Sequence, residues 1–217
     1  MNNSFSVKKM VLLAMLAAVA YMMVSLIRVP IVLFLKYEPK DVIITIGGFL
    51  LGPMASFIIS LVVSLLEMVT ISDTGPIGAI MNLLSTCTYA CTAAFIYKRK
   101  HTLNGAVVGL GIGTLVMTGA MLLWNYLITP LYMTGTSRSD IAGMLIPVFL
   151  PFNLLKAGLN SAFILALYKP LVTALRKTGL IPKQKGNAGS SKIGLYIFAG
   201  GLLITCILLV LVMKGII

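Results

Sequence analysis

Few polar side chains lie inside the apolar stretches of this 217-residue chain, and four of them stand out. Asn82 sits early in one such stretch, Asn125 follows Trp124 near the end of another, and Asn153 and Lys156 share the segment PFNLLK. Asn153 and Lys156 are three residues apart, which puts them on one face of a helix. An amide offers both donor and acceptor groups, and a lysine adds a charged donor. Together they could read the edge of a flat polar heterocycle. Two readings compete with a ligand site: asparagines gluing helix to helix in lipid, and a lysine snorkelling toward the membrane surface.

The chemistry that is missing narrows the function. There is no GxxxxGK[ST] phosphate loop, no HExxH and no G-x-S-x-G, and the sole histidine, His101, sits in a basic loop. The sequence therefore predicts no enzyme and no bound metal. Cys87 and Cys91 lie four apart with no histidine or acid beside them and read as small buried apolar residues. Gly105, Gly109 and Gly113 lack the spacing of a dinucleotide loop and form a small-residue stripe for close helix contact. Glu67 is the deepest acid, near a helix end. Self-powered carriers commonly use intramembrane carboxylates or broken helices, so any transport here is expected to draw its energy from a partner.

The elements holding these residues must be membrane helices. Hydrophobic residues make up 59% of the chain and charged ones 10%, against about 25% charged in a soluble domain. The mean hydropathy is +1.04. A body this small could not hide so much apolar surface from water. Apolar windows fall at about 10–27, 42–51, 54–69, 77–97, 105–131, 141–168 and 193–213. Gly52-Pro53 is a plausible break, because proline has no N–H and disfavours helix in the residue before it.

Charge chooses between one helix and two over 42–69. The net charge is +12. This reads as the cytoplasmic bias of a membrane protein, with no nucleic-acid partner. With Lys8 and Lys9 inside and a turn at Gly52-Pro53, the clusters at Lys98–Lys100 and at 169–192 also fall inside, and all five acids lie at or near the outer side. The expectation is seven crossings, N-terminus cytoplasmic and C-terminus outside. Lys8-Lys9 followed by Ala18-Val19-Ala20 resembles a cleaved leader, but the apolar run continues to Ile27 and reads as an uncleaved first helix. The stretch 178–192, TGLIPKQKGNAGSSK, reads as a flexible cytoplasmic linker between a six-helix body (1–177) and an additional helix (193–217). The first outer loop, RVPIVLFLKYEPKD, is too apolar to face water, which suits a lid over a ligand or a re-entrant segment. Ala14 and Ala18 make a small flat face on the first helix, for internal packing or for docking onto another membrane protein.

The motifs FLKYEPKD, IGGFLLGP, GPIGAIMN, NYLITPLY, PFNLLKAGLNS and LYKPL occur in that order over roughly residues 8–177. In this the chain resembles the riboflavin-specific substrate-binding (S) components of bacterial energy-coupling factor transporters. The resemblance implies an all-α integral membrane protein of the bacterial plasma membrane, with a six-helix bundle that captures riboflavin, or its phosphate, from outside. It implies ring contacts from Asn125, Asn153 and Lys156, with Lys36 and Tyr37 of the first loop closing over the vitamin; Asn82 is a further candidate from its position. It implies docking of Ala14 and Ala18 onto a transmembrane coupling subunit, with two cytoplasmic ATPase subunits completing the complex. Riboflavin is then transported ligand, not cofactor. The window 193–213 departs from the six-helix pattern. Rival readings are an S component for thiamine or a folate, and a membrane scaffold without a small ligand.

Overall fold

The computed structural model describes residues 7–72, 75–133, 135–177 and 192–213. Eight α-helices and one β-hairpin are described: α1 (Val7–Leu26), β1 (Val29–Val32), β2 (Leu35–Tyr37), α2 (Lys40–Leu51), α3 (Pro53–Thr70), α4 (Gly75–Arg99), α5 (Leu103–Tyr132), α6 (Arg138–Met144), α7 (Leu150–Lys177) and α8 (Lys192–Met213). One π-helical turn, Leu145–Phe149, joins α6 to α7. Among the described residues five stretches are long and apolar enough to cross a membrane: α1, α3, α4, α5 to Leu131, and the run Arg138–Tyr168. The protein is thus an all-α integral membrane protein with one exception, the hairpin. The linker expected at 178–192 falls on residues that, up to 191, lie outside those described.

Gly52 divides 42–69 as expected. It has φ +99, a conformation that favours glycine, and Pro53 follows as the first residue of α3, where its missing N–H costs nothing. The chain reverses there: Ser56 Oγ donates to Ile44 O at 3.1 Å, and at the far end Lys40 meets Glu67. With 12 residues, α2 is about 18 Å long and reaches only part-way through a bilayer core. It is buried along almost its whole length, including Lys40 and Asp41 in its first turn.

The glycine stripe on α5 packs against α4. A Cβ at Gly109 would lie 2.8 Å from Ala93 O, and one at Gly113 would lie 2.8 Å from Tyr89 O. Removing the side chains lets the two backbones touch, which substitutes for a hydrophobic driving force in lipid. Thr102 caps α5 by accepting from the Gly105 N–H at 3.1 Å.

The apolar first loop is the hairpin. β1 and β2 pair antiparallel, Val29 with Tyr37, Pro30 with Lys36 and Val32 with Leu35, with an irregularity between Pro30 and Val32. Ile31, Leu35 and Tyr37 face inward and are buried against Ile141, Phe149, Phe152, Leu155 and Leu159. That inward face explains a loop too apolar for water. The chain turns through Leu33 at φ +50, a strained conformation for leucine, and its side chain is exposed.

Two further clusters complete the core. One joins α1, α2 and α3 through Leu12, Leu16, Ile43, Ile44, Ile59 and Val63. The other joins α2, α4, α5 and α7 through Ile46, Phe49, Tyr89, Leu110, Met117 and Ile164. Ala14 and Ala18 lie on the exposed side of α1, away from both.

Candidate functional site

A cavity of about 170 Å³ lies between the hairpin and helices α4, α5 and α7. The hairpin side supplies Phe34, Leu35, Lys36 and Glu38, with Arg28 entering from the connection before β1. From the helices come Met81, Asn82 and Ser85 of α4, Met121 of α5, and Phe152, Asn153 and Lys156 of α7. Five apolar side chains thus surround a small set of amides and charges, the mixture typical of a small-molecule site.

The π-turn sets the α7 wall. Pro151 has no N–H to give to the carbonyl four residues earlier, and the helix widens there: the Leu150 N–H reaches back five residues to Leu145 O. Such turns recur at functional sites because they re-aim the side chains that follow. Asn153 is the first polar residue past the turn. It donates Nδ2 to Phe149 O at 2.7 Å, which leaves a second N–H and the amide oxygen for other partners.

Lys156, one turn further on, is buried and held on two sides. Its Nζ lies 3.2 Å from Asp41 Oδ2 and donates to Ser85 Oγ at 3.3 Å. Asp41 also accepts from Thr86 Oγ1 at 2.7 Å and Asn160 Nδ2 at 3.4 Å, and Asn160 in turn accepts from the Tyr37 hydroxyl at 3.1 Å. An ammonium has three N–H groups. Asp41 and Ser85 engage two of them, and the third is available to a ligand.

A second charged cluster joins the hairpin to α2 and α3. Glu38 pairs with Arg28 at 3.0 Å and with Lys40 at 2.8 Å. Lys40 also donates to Glu67 Oε2 at 2.6 Å, and Asn82 donates to the same oxygen at 3.0 Å. Arg28 additionally donates to Ile71 O at 2.6 Å. Burial pushes the Glu38 carboxyl up, but the charges of Lys40, Lys156 and Arg28 outweigh burial and hold it down at about 2. Burial, then the Asp41 charge, pushes the Tyr37 phenol up, so it stays a neutral donor.

Of the residues picked out in the sequence, Lys36, Asn82, Asn153 and Lys156 line the cavity. Tyr37 does not; it lies behind the hairpin, bonded to Asn160. Asn125 is also outside the lining. It is fully buried, donates to Met121 O at 2.7 Å and accepts from Thr129 Oγ1 at 2.9 Å, so its amide is engaged along its own helix. Met121, one turn earlier, forms the α5 wall instead. Sequence reasoning did not single out Arg28, Glu38, Lys40, Asp41, Ser85 or Asn160. The signal for three of them, Glu38, Lys40 and Asp41, was the charge-dense start of an apolar helix: buried charges at membrane depth require partners. Among the described residues no group of three His, Cys, Asp or Glu is placed to hold a metal.

The family model described as "ECF transporter, substrate-specific component" matches residues 8–168. The chain is 31% identical over 178 residues to the riboflavin transporter RibU of Staphylococcus aureus (strain TCH60), covering 78% of this chain and 93% of that one. It is 28% identical over 161 residues to the riboflavin transporter FmnP of Bacillus subtilis (strain 168), covering 69% and 84%. A solved S component of a bacterial ECF transporter superposes with a TM-score of 0.66 at 31% identity, covering 78% of this chain and 98% of that one.

Proposed function

The chain belongs to the substrate-specific components of ECF transporters, and from that premise we propose that it captures riboflavin in the cavity under the β1–β2 hairpin and delivers it across the plasma membrane. It makes and breaks no covalent bond. The observation that carries the reading is the α7 wall, where Asn153 and Lys156 stand beside Phe152 and opposite Phe34 and Leu35. Apolar side chains pack the faces of the isoalloxazine ring. The Lys156 ammonium and the free half of the Asn153 amide meet its carbonyls and nitrogens. Polar groups of this kind discriminate strongly, because an analogue lacking the matching atom leaves them unpaired in lipid.

Capture requires the hairpin to move. The cavity measures about 170 Å³, against roughly 300–1,000 Å³ for small-molecule sites. The hairpin is the element free to open, because its tip at Leu33 is exposed while the helices around it are packed along their length. Lys36 rides on that element and closes over the ligand with it. Asn82 steadies Glu67 beneath the ligand. Asn125 supports the α5 wall through Met121, and Tyr37 supports the hairpin through Asn160.

The hairpin end faces outside and the Gly52 end faces the cytoplasm, which places Lys8, Lys9 and Lys98–Lys100 inside. The short α2 carries the chain part-way in and α3 carries it back out; taking that pair as two passes and α8 as one gives seven, with the N-terminus inside and the C-terminus outside. The body is residues 1–177 and α8 an addition. A transmembrane coupling subunit, docked at Ala14 and Ala18 on the exposed side of α1, and two ATPase subunits supply the energy.

Titration of the purified protein with riboflavin, riboflavin phosphate and thiamine tests the assignment. Trp124, the sole tryptophan, packs against the cluster containing Met121, so it reports on the cavity. Riboflavin should quench its fluorescence saturably and thiamine should not. A response to thiamine alone would move the protein to another vitamin. No response to any of the three would leave a scaffold.

A further inference from the structure

The family match ends at residue 168, and α8 follows it. This helix is not a detached anchor. It packs along α7 and also touches β1. Cys206 is 7% exposed and belongs to the same buried cluster as Ile31, Leu35 and Tyr37 of the hairpin, with Leu202, Leu203, Leu209 and Val210 packed around it. The approach to α7 is tight: a Cβ at Gly158 would lie 2.9 Å from Cys206 Sγ.

We infer that α8 is a positioning element of the ligand pocket, a buttress that holds the β1–β2 hairpin closed and so sets how fast the bound ligand escapes. The inference rests on the reading that the hairpin covers riboflavin. Its physical basis is a continuous set of contacts. Cys206 shares its cluster with Tyr37, the Tyr37 hydroxyl donates to Asn160, Asn160 donates to Asp41, and Asp41 pairs with Lys156 in the cavity wall. Leu35 joins the same cluster and itself lines the cavity. To open, the hairpin must leave apolar surface on α7 and α8 together. Without α8, only the α7 part of that cost remains. The helix adds no polar group to the cavity, so it should change the lifetime of the complex more than its specificity.

Two full-length variants test this. Cys206→Phe cannot be accommodated against Gly158 and should lift α8 off α7. Leu209→Ala/Val210→Ala trims the helix where it packs on the hairpin cluster without overfilling any site. Ile204→Ala/Ile207→Ala is the control, because both side chains are exposed on another face of α8. Riboflavin association and dissociation are followed by stopped-flow flavin fluorescence in detergent, with melting of the ligand-free protein measured in parallel. Both test variants should release riboflavin roughly tenfold faster with a much smaller change in association rate, and the control should match the parent. Parental dissociation rates in Leu209→Ala/Val210→Ala would overturn the inference, even if its melting temperature falls, since α8 would then serve folding alone. That variant decides the question if Cys206→Phe does not fold. Failure of the unmodified chain to bind riboflavin would instead refute the ligand assignment.

Discussion

Replacing Lys156 by methionine should damage both folding and binding, and the two losses can be separated. The Lys156 and Asp41 side chains are 6% and 2% exposed and lie 3.2 Å apart. At that distance two unit charges attract by roughly 5 kcal/mol at an effective dielectric of 20. Removing the ammonium alone leaves the Asp41 carboxylate buried with only Thr86 and Asn160 as donors, and breaking a buried pair in this way costs about 3–5 kcal/mol. Lys156→Met should therefore melt well below the parent in detergent. Adding Asp41→Asn removes the stranded charge, and the double variant should recover most of the lost stability. Binding should not follow. A charged hydrogen bond to the ligand contributes about 1.5–3 kcal/mol, so the double variant should still bind riboflavin roughly ten- to 150-fold more weakly by calorimetry. Full recovery of affinity together with stability would show that Lys156 acts only on the scaffold. A single Lys156→Met variant as stable as the parent would show that Asp41 is not held by this pair at all.

Three other outcomes follow from the same geometry. Asn153→Ala should weaken riboflavin binding about tenfold while preserving membrane insertion, since it removes neutral hydrogen bonds of about 0.5–1.5 kcal/mol each; unchanged affinity in a titration would remove it from the site. Glu38 is held down at about 2 against an ordinary 4.5, so its contribution to hairpin closure is complete above pH 4.5 and is lost as the pH falls toward 2. Riboflavin release should accordingly accelerate as the pH falls below about 4.5; release as slow at pH 3 as at pH 7 would show that Glu38 does not hold the hairpin. Ala14→Leu/Ala18→Leu alters only the exposed side of α1, so riboflavin affinity should be unchanged while co-purification with the coupling subunit is lost, and retained complex formation would place docking elsewhere.

The helices were legible because lipid demands long apolar runs, and the break at Gly52-Pro53 was legible because proline lacks an N–H and disfavours helix before it and because a turn there gathers the basic clusters on one side. The hairpin was not. Its inward residues, Ile31, Leu35 and Tyr37, alternate in space, but Val29, Val32, Leu33 and Phe34 between and beside them are apolar as well, so the sequence shows a continuous apolar run and no period of two. In the site, Asn153 and Lys156 stood out as polar groups in an apolar helix that must face something. Asn125 carried the same signal, yet it lies outside the cavity lining, bonded to Met121 and Thr129 of its own helix. Residue type alone cannot separate an asparagine satisfied within its helix from one facing a cavity. Asp41 was read only as an outer-side acid, because its partners Thr86, Lys156 and Asn160 are distant in sequence.

A receptor inside a bilayer faces a constraint that a soluble one does not: its polar cavity must be satisfied before the ligand arrives. Water at a soluble site hydrates an unoccupied lysine, whereas here burial at membrane depth would make an unpaired ammonium costly. Asp41 removes that cost by pairing with Lys156, Thr86 and Asn160 anchor Asp41, and Tyr37 ties Asn160 to the hairpin. The same bonds therefore hold the fold and aim the remaining N–H of Lys156. A ligand that accepts that hydrogen bond adds to a network already closed, and need not break a protein bond to enter. This also couples hairpin position to Lys156 position, because Tyr37 moves with one and, through Asn160 and Asp41, is linked to the other. Opening the hairpin should loosen the grip on the ring in the same motion that uncovers it.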